Sequence, residues 1–314
     1  MFNYVLVLGF GRIAEVLYIP WLIQLKSKII ICEKDVGRHT YIKKIVPNVE
    51  VSDYIPVAPQ SYHGIALNLT PVFAHESTNR ELLEKGWNVF SEKLAANSST
   101  AWAELLSIAK QNNCTIVSAP VSANQTEEDR MLLDIRNESL GEIVEVHCQF
   151  IGGGPARRGF IQVQREWMLK NEDALRVDLA PYLLTPVVKA FGAIKEVIWM
   201  SNRYYPDVVV ENTDRIIKPE YGSSEVGIGV INHSIATFLV SYRPNVKDVT
   251  TKIEIIGTKK GSCYDLSEKV SEGVHSFNRV QAALELLKEC IEEERVYQNH
   301  QQVVSNVISC IKGE

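Results

Sequence analysis

Tyr4-Val5-Leu6-Val7-Leu8-Gly9-Phe10-Gly11-Arg12-Ile13-Ala14 is the stretch that decides the fold. Its apolar first half reads as a buried strand, and the G-x-G-x-x-A pattern follows where a helix begins. Each small residue has its own purpose. Gly9 permits a tight turn, Gly11 lets backbone N–H groups approach a pyrophosphate with no Cβ in the way, and Ala14 lets the helix pack against the strand. Glu33 closes the next strand about 20 residues farther on, the offset at which a carboxylate meets the adenosine ribose hydroxyls. A carboxylate there repels a 2′-phosphate, so NAD is favoured over NADP, although Lys34 and Arg38 lie close enough to keep NADP open. The plain alternatives are a ligand-free small-residue turn and a solvated strand-end charge.

Working outward, strand and helix patterns alternate. Strands are predicted at 4–8, 28–32, 64–69, 88–90 and 115–118, with helices reaching toward 25 and covering 41–45, 75–85 and 100–111. Such alternation implies a doubly wound parallel sheet, a Rossmann-type domain over 1–120. After a helix at 126–137 the texture changes. Val144, Val146, Cys148 and Phe150 alternate with polar residues, the mark of a half-buried strand. Further strands are expected at 196–201, 225–231, 235–242 and 252–256, and amphipathic helices at 276–294 and 301–311. The second domain, 121–314, is therefore expected to be α+β, with a large, mainly antiparallel open sheet.

Composition narrows the class. The chain has 314 residues, 46% hydrophobic and 23% charged, enough for a large buried core. Its 33 basic and 38 acidic residues give a net charge of −5, with no basic stripe for nucleic acid. No apolar run approaches the roughly 20 residues of a spanning helix, and the N-terminus lacks the pattern of a secretory signal, so a cytoplasmic protein is expected with no membrane partner. The six cysteines are scattered singly and the seven histidines show no metal-binding spacing, so no metal is expected.

With these residues in view, the sequence resembles the glucose-fructose oxidoreductase, inositol dehydrogenase and MocA family. The likeness starts with Gly9-Phe10-Gly11-Arg12-Ile13-Ala14. It runs through Leu69-Thr70-Pro71 with His75, and through Gly86-Trp87-Asn88-Val89-Phe90-Ser91-Glu92-Lys93, similar to the family's "G-k-h-V-x-x-E-K-P". Later come Ser139-Leu140-Gly141-Glu142-Ile143, Asp178-Leu179-Ala180-Pro181-Tyr182-Leu183-Leu184-Thr185 and Ile253-Glu254-Ile255-Ile256-Gly257-Thr258. Two departures stand out: the family's proline after Glu-Lys is Leu94, and Asn171-Glu172-Asp173-Ala174-Leu175-Arg176 replaces the glycine-rich stretch before the aspartate. The resemblance implies a cofactor site made of Gly9, Phe10, Gly11, Arg12, Ile13, Glu33, Leu69, Thr70, Pro71, His75, Glu92 and Lys93. His75, at a helix start, is given no catalytic role.

Hydride transfer between an alcohol and nicotinamide needs a group that moves the hydroxyl proton and a charge partner that tunes it. The resemblance implies that Lys93 contacts substrate hydroxyl and cofactor, and tyrosine stands at Tyr182 in one branch of the family. A phenol titrates near 10, and a neighbouring ammonium lowers that value. Asp178, four residues before Tyr182 and on the same helical face, would orient the substrate or Lys93. The structural alternatives are a surface lysine, a packing aromatic and a helix N-cap. Arg157, Arg158, Gln162 and Trp167 are candidates for lining a substrate pocket, equally explained by a solvated loop. Two readings result: an NAD-dependent dehydrogenase or reductase acting on a sugar, cyclitol or related polyol, or a dinucleotide-binding regulator or scaffold without turnover. The resemblance also implies a homo-oligomer formed through the open sheet of the second domain.

Overall fold

The computed structural model describes residues 2–24, 26–59, 64–120, 122, 124–154, 170–209, 214–243, 246, 248–267 and 275–314. They form two compact units, Met1–Val121 with Ser271–Ile308, and Ser122–Val270 with Ser309–Glu314.

The first unit is built on β1 (Tyr4–Leu8), β2 (Lys28–Cys32), β3 (Glu50–Ser52), β4 (Gly64–Asn68), β5 (Asn88–Ser91) and β6 (Ile116–Ser118). All pairings are parallel, in the order β3-β2-β1-β4-β5-β6, so the strand order reverses between β1 and β4. Strands buried on both faces carry apolar runs, and Val5, Leu6, Val7, Ile65, Ala66 and Leu67 are fully buried. The expected doubly wound sheet is therefore present. It has one more strand than the periodicity shows, because three residues at an edge, Glu50–Ser52, carry no alternating signal.

Between the strands lie a π-helical turn, Ala14–Tyr18, that continues into α1 (Ile19–Leu22), then α2 (His39–Ile45), α3 (His75–Glu84) and α4 (Ser99–Gln111). Ser98 starts α4 by accepting the Ala101 N–H at 3.0 Å.

The late helices depart from the sequence division at 120, because 271–308 belong to the first unit. The reason is the buried stripe Val280, Ala283, Leu284, Leu287 and Cys290, which joins the same apolar core as Val5, Val7, Ala14 and Leu22.

The second unit contains α5 (Gln125–Arg136), β7 (Ile143–Gly152), α6 (Ala174–Leu179), α7 (Pro181–Phe191), β8 (Lys195–Asn202), the short pair β9 (Val208–Val209) and β10 (Ile216–Ile217), β11 (Ser224–Ile231), β12 (Ser234–Tyr242), β13 (Thr250–Gly257) and β14 (Gly261–Asp265). The two long final helices are α8 (His275–Glu292) and α9 (Glu294–Lys312).

The large sheet runs β14-β13-β7-β12-β11-β8. Four pairings are antiparallel and β7 with β12 is parallel, so the sheet is mixed. Alternation along a strand reports burial of one face and not the direction of its partner, which is why this pairing escaped the sequence. The inner face, with Val146, Cys148, Phe238, Val240, Ile253 and Ile255 buried, lies under α6 and α7. Asn232, at φ 55°, makes the two-residue turn joining β11 to β12.

Candidate functional site

The register of the parallel sheet builds the site. Cys32, Leu8, Asn68 and Ser91 stand side by side at the carboxyl ends of β2, β1, β4 and β5. The residues that follow stay tied across the edge: the Gly9 N–H donates to Cys32 O at 2.9 Å, Leu69 N–H to Leu8 O at 2.9 Å, and Glu92 N–H to Asn68 O at 3.0 Å. Gly9, Glu33, Leu69 and Glu92 therefore emerge on one edge, at the reversal of strand order where open α/β sheets bind ligands.

Gly9 and Gly11 are glycine for different reasons. Gly9 has φ +84°, and a Cβ there would lie 3.2 Å from the backbone of Leu69 and Thr70. The fold itself forbids a side chain at Gly9, at a conformational cost of about 1–2 kcal/mol before any clash. Gly11 has ordinary φ and nothing within 4 Å of its Cβ position. None of the described residues requires glycine there, and the open space matches the approach of a diphosphate to the start of the first helix. Ala14 is fully buried beneath that helix start. The cradle fits a dinucleotide.

Glu33 is held at the rim. One carboxylate oxygen accepts the Phe10 N–H and the other the Asp35 N–H, both at 3.0 Å. The acid is thus fastened to the residue between the two glycines.

A buried polar network fixes the other strand ends. The Asn68 amide donates to Thr78 Oγ1 at 2.8 Å and to Asn79 Oδ1 at 2.7 Å, while Thr70 Oγ1 donates to Asn68 Oδ1 at 2.7 Å. Asn79 in turn donates to Ser91 Oγ and Ala95 O, each at 2.9 Å. His75 is 1% exposed, with Nδ1 2.8 Å from Leu94 O and Nε2 2.7 Å from Thr70 O. Burial lowers its proton affinity. Both ring nitrogens face backbone carbonyls, and the single N–H of the neutral ring donates to one of them, so His75 lies packed between the loop carrying Thr70 and the segment carrying Lys93. The Lys93–Leu94 peptide is cis, and Tyr18 donates to Glu92 Oε1 at 2.8 Å.

In the second unit, Asp178 on α6 and Tyr182 on α7 are carried by two helices that share Ala180, whose backbone is helical at φ −62° and ψ −31°. Asp178 does not cap α7. Its Oδ2 instead accepts the Tyr242 hydroxyl at 2.6 Å. Tyr182 stacks on Phe150, ring centroids 5.4 Å apart. Tyr242 was missed in the sequence, where it is one more inward position of β12 after Phe238 and Val240.

Two residues before Asp178, the Arg176 Nε lies 3.4 Å from Oε2 of Glu225, which is 2% exposed. Burial pushes the Glu225 carboxyl up to about 7, with Arg176 opposing. Arg157, Arg158, Gln162 and Trp167 lie outside the described residues. Among the described residues, no group of His, Cys, Asp and Glu could hold a metal ion, and no helix is long and apolar enough to cross a membrane.

No family model matches the chain, and no curated protein matches it in sequence. Solved structures match over nearly the whole length. The WlbA dehydrogenase from Bordetella pertussis, in complex with NADH and UDP-GlcNAcA, is 14% identical with a TM-score of 0.73, covering 99% of this chain and 97% of that one. A levoglucosan dehydrogenase in complex with NADH and levoglucosan is 10% identical with a TM-score of 0.74, over 99% and 97%. The scyllo-inositol dehydrogenase from Lactobacillus casei is 12% identical with a TM-score of 0.73, over 99% and 95%. The chain thus has the two-domain fold of these dehydrogenases.

Proposed function

We propose that the protein is an NAD-dependent oxidoreductase of the glucose-fructose oxidoreductase, inositol dehydrogenase and MocA type. It transfers hydride between the nicotinamide and a hydroxyl or carbonyl of a sugar, cyclitol or similar polyol. The observation that carries this reading is the open space at Gly11, a glycine that none of the described residues requires, at the sheet edge where Glu33 and the segment before Lys93 also emerge. The fold shared with dehydrogenases bound to NADH supports it.

When bound, the nicotinamide gives or takes the hydride. Phe10, Arg12 and Ile13 of the glycine loop, with Leu69, Thr70 and Pro71, hold the dinucleotide, and Glu33 accepts from the ribose. Lys93 and Tyr182 take or return the hydroxyl proton of the substrate. Asp178, held by Tyr242, orients that exchange. The six free cysteines suit the reducing cytoplasm.

The test is a fluorescence titration with NADH followed by assay of NAD reduction with a panel of sugars and cyclitols. Micromolar NADH binding with turnover of a panel member is expected. Binding without turnover of any would favour the regulator reading, and absence of binding to NADH and NADPH alike would overturn the dinucleotide reading altogether.

The outer face of the large sheet places exposed Ile198, Met200, Ile228 and Ile235 on neighbouring strands, Ile198 directly opposite Ile228. A second copy of this chain is the proposed occupant of that face, because exposed apolar patches on one face are costly for a monomer. Sedimentation at micromolar concentration should show a dimer or larger; a monomer alone would exclude this assembly.

A further inference from the structure

Glu15 was not part of any motif, yet it sits directly after Ala14 at the start of the first helix and faces the rim where Glu33 lies. Its Oε1 accepts from a terminal nitrogen of Arg38 at 3.0 Å. The other terminal nitrogen of Arg38 is 3.7 Å from Glu33 Oε2, and the guanidinium carbon lies 5.8 Å from the centre of the Phe10 ring. Arg38 ends the short turn Val36–Arg38 just beyond β2, where a cation that receives a 2′-phosphate would be expected. Here that cation is shared between two carboxylates.

We infer that Glu15 decides between a 2′-hydroxyl and a 2′-phosphate at this rim by withholding Arg38; the inference rests on the dinucleotide reading above. The two acids are not equivalent. Glu33 is fastened by the Phe10 and Asp35 N–H groups whether or not Arg38 is present, whereas Glu15 forms the short ion pair. Two carboxylates and one guanidinium leave the cluster with one net negative charge. A 2′-phosphate would add about −1.5 to −2 more, while a ribose diol adds none and can donate to Glu33. Removing the Glu15 charge makes the cluster neutral and frees the planar donor edge of Arg38, whose geometry suits phosphate. The groups are partly exposed, so added salt should weaken the effect.

The experiment titrates NADH and NADPH into the wild type, Glu15→Gln, Arg38→Ala and the double variant. Glu15→Gln should tighten NADPH about tenfold, about 1.4 kcal/mol, with NADH held within about twofold. The gain should vanish in the double variant and shrink at about 0.5 M salt. Arg38→Ala alone leaves two carboxylates without a cation and should weaken NADPH relative to NADH. An unchanged NADPH-to-NADH ratio in Glu15→Gln with NADH still bound, a gain that survives in the double variant, or tighter NADPH binding in Arg38→Ala alone would each overturn the inference. A wild type that binds neither nucleotide would instead bring down the dinucleotide reading, and this inference with it.

Discussion

Gly11→Val is expected to fold as the wild type does and to lose NADH binding by at least about 100-fold, or about 2.7 kcal/mol. The two halves of this expectation have separate grounds. Among the described residues, and its chain neighbours apart, nothing lies within 4 Å of a Cβ at this position, and its φ is not left-handed, so a Cβ meets no clash there. Any stability change should stay near the tenths of a kcal/mol that separate helix propensities. The branched side chain would instead occupy the approach of the diphosphate to the backbone N–H groups at the helix start. Fluorescence titration reads the affinity, and a thermal melt within a few degrees of wild type shows that the fold is kept. Gly9→Val is the contrasting control, because the φ of +84° and the contacts at 3.2 Å predict damage to the fold itself. If Gly11→Val binds NADH as the wild type does, the glycine loop does not hold a diphosphate.

Lys93→Met and Tyr182→Phe are each expected to lower kcat by about 10²–10⁴, the usual weight of a proton-transfer group. NADH affinity should fall far less than kcat in both. Tyr182→Phe keeps the ring that stacks on Phe150 and removes only the hydroxyl, so packing loss does not explain a large effect. The variant separates a chemical role from a packing role. Turnover of the best sugar or cyclitol substrate, with the dinucleotide titrated in parallel, supplies the readout. Activity within about threefold of wild type in either variant would remove that residue from the proposed chemistry.

The glycine turn and the acid at the strand end were legible because their signals are local. The turn at Gly9, the buried Ala14 and the acid that ends β2 each announce themselves within a few residues. Other parts were not. The burial of His75, with its ring nitrogens facing the carbonyls of Thr70 and Leu94, has no local signal in the sequence. Tyr242 looked like one more inward position of a strand until its hydroxyl was found on Asp178. The sequence offers Arg38 only as a cation near Glu33 and gives no signal for Glu15, and only β1 and β2 lying side by side brings the two together.

The sequence by itself determined the alternation of strand and helix, the glycine turn with its acid, and the half-buried strands of the second unit. These follow from side-chain periodicity and from backbone angles that few residues tolerate, both properties of neighbours along the chain. Tertiary structure alone decided the parallel pairing of β7 with β12, the return of 271–308 to the first unit, and the partners of His75, Tyr242 and Arg38. Those outcomes depend on which apolar faces find each other and which buried donors must then be satisfied, and both are settled only when distant segments pack together.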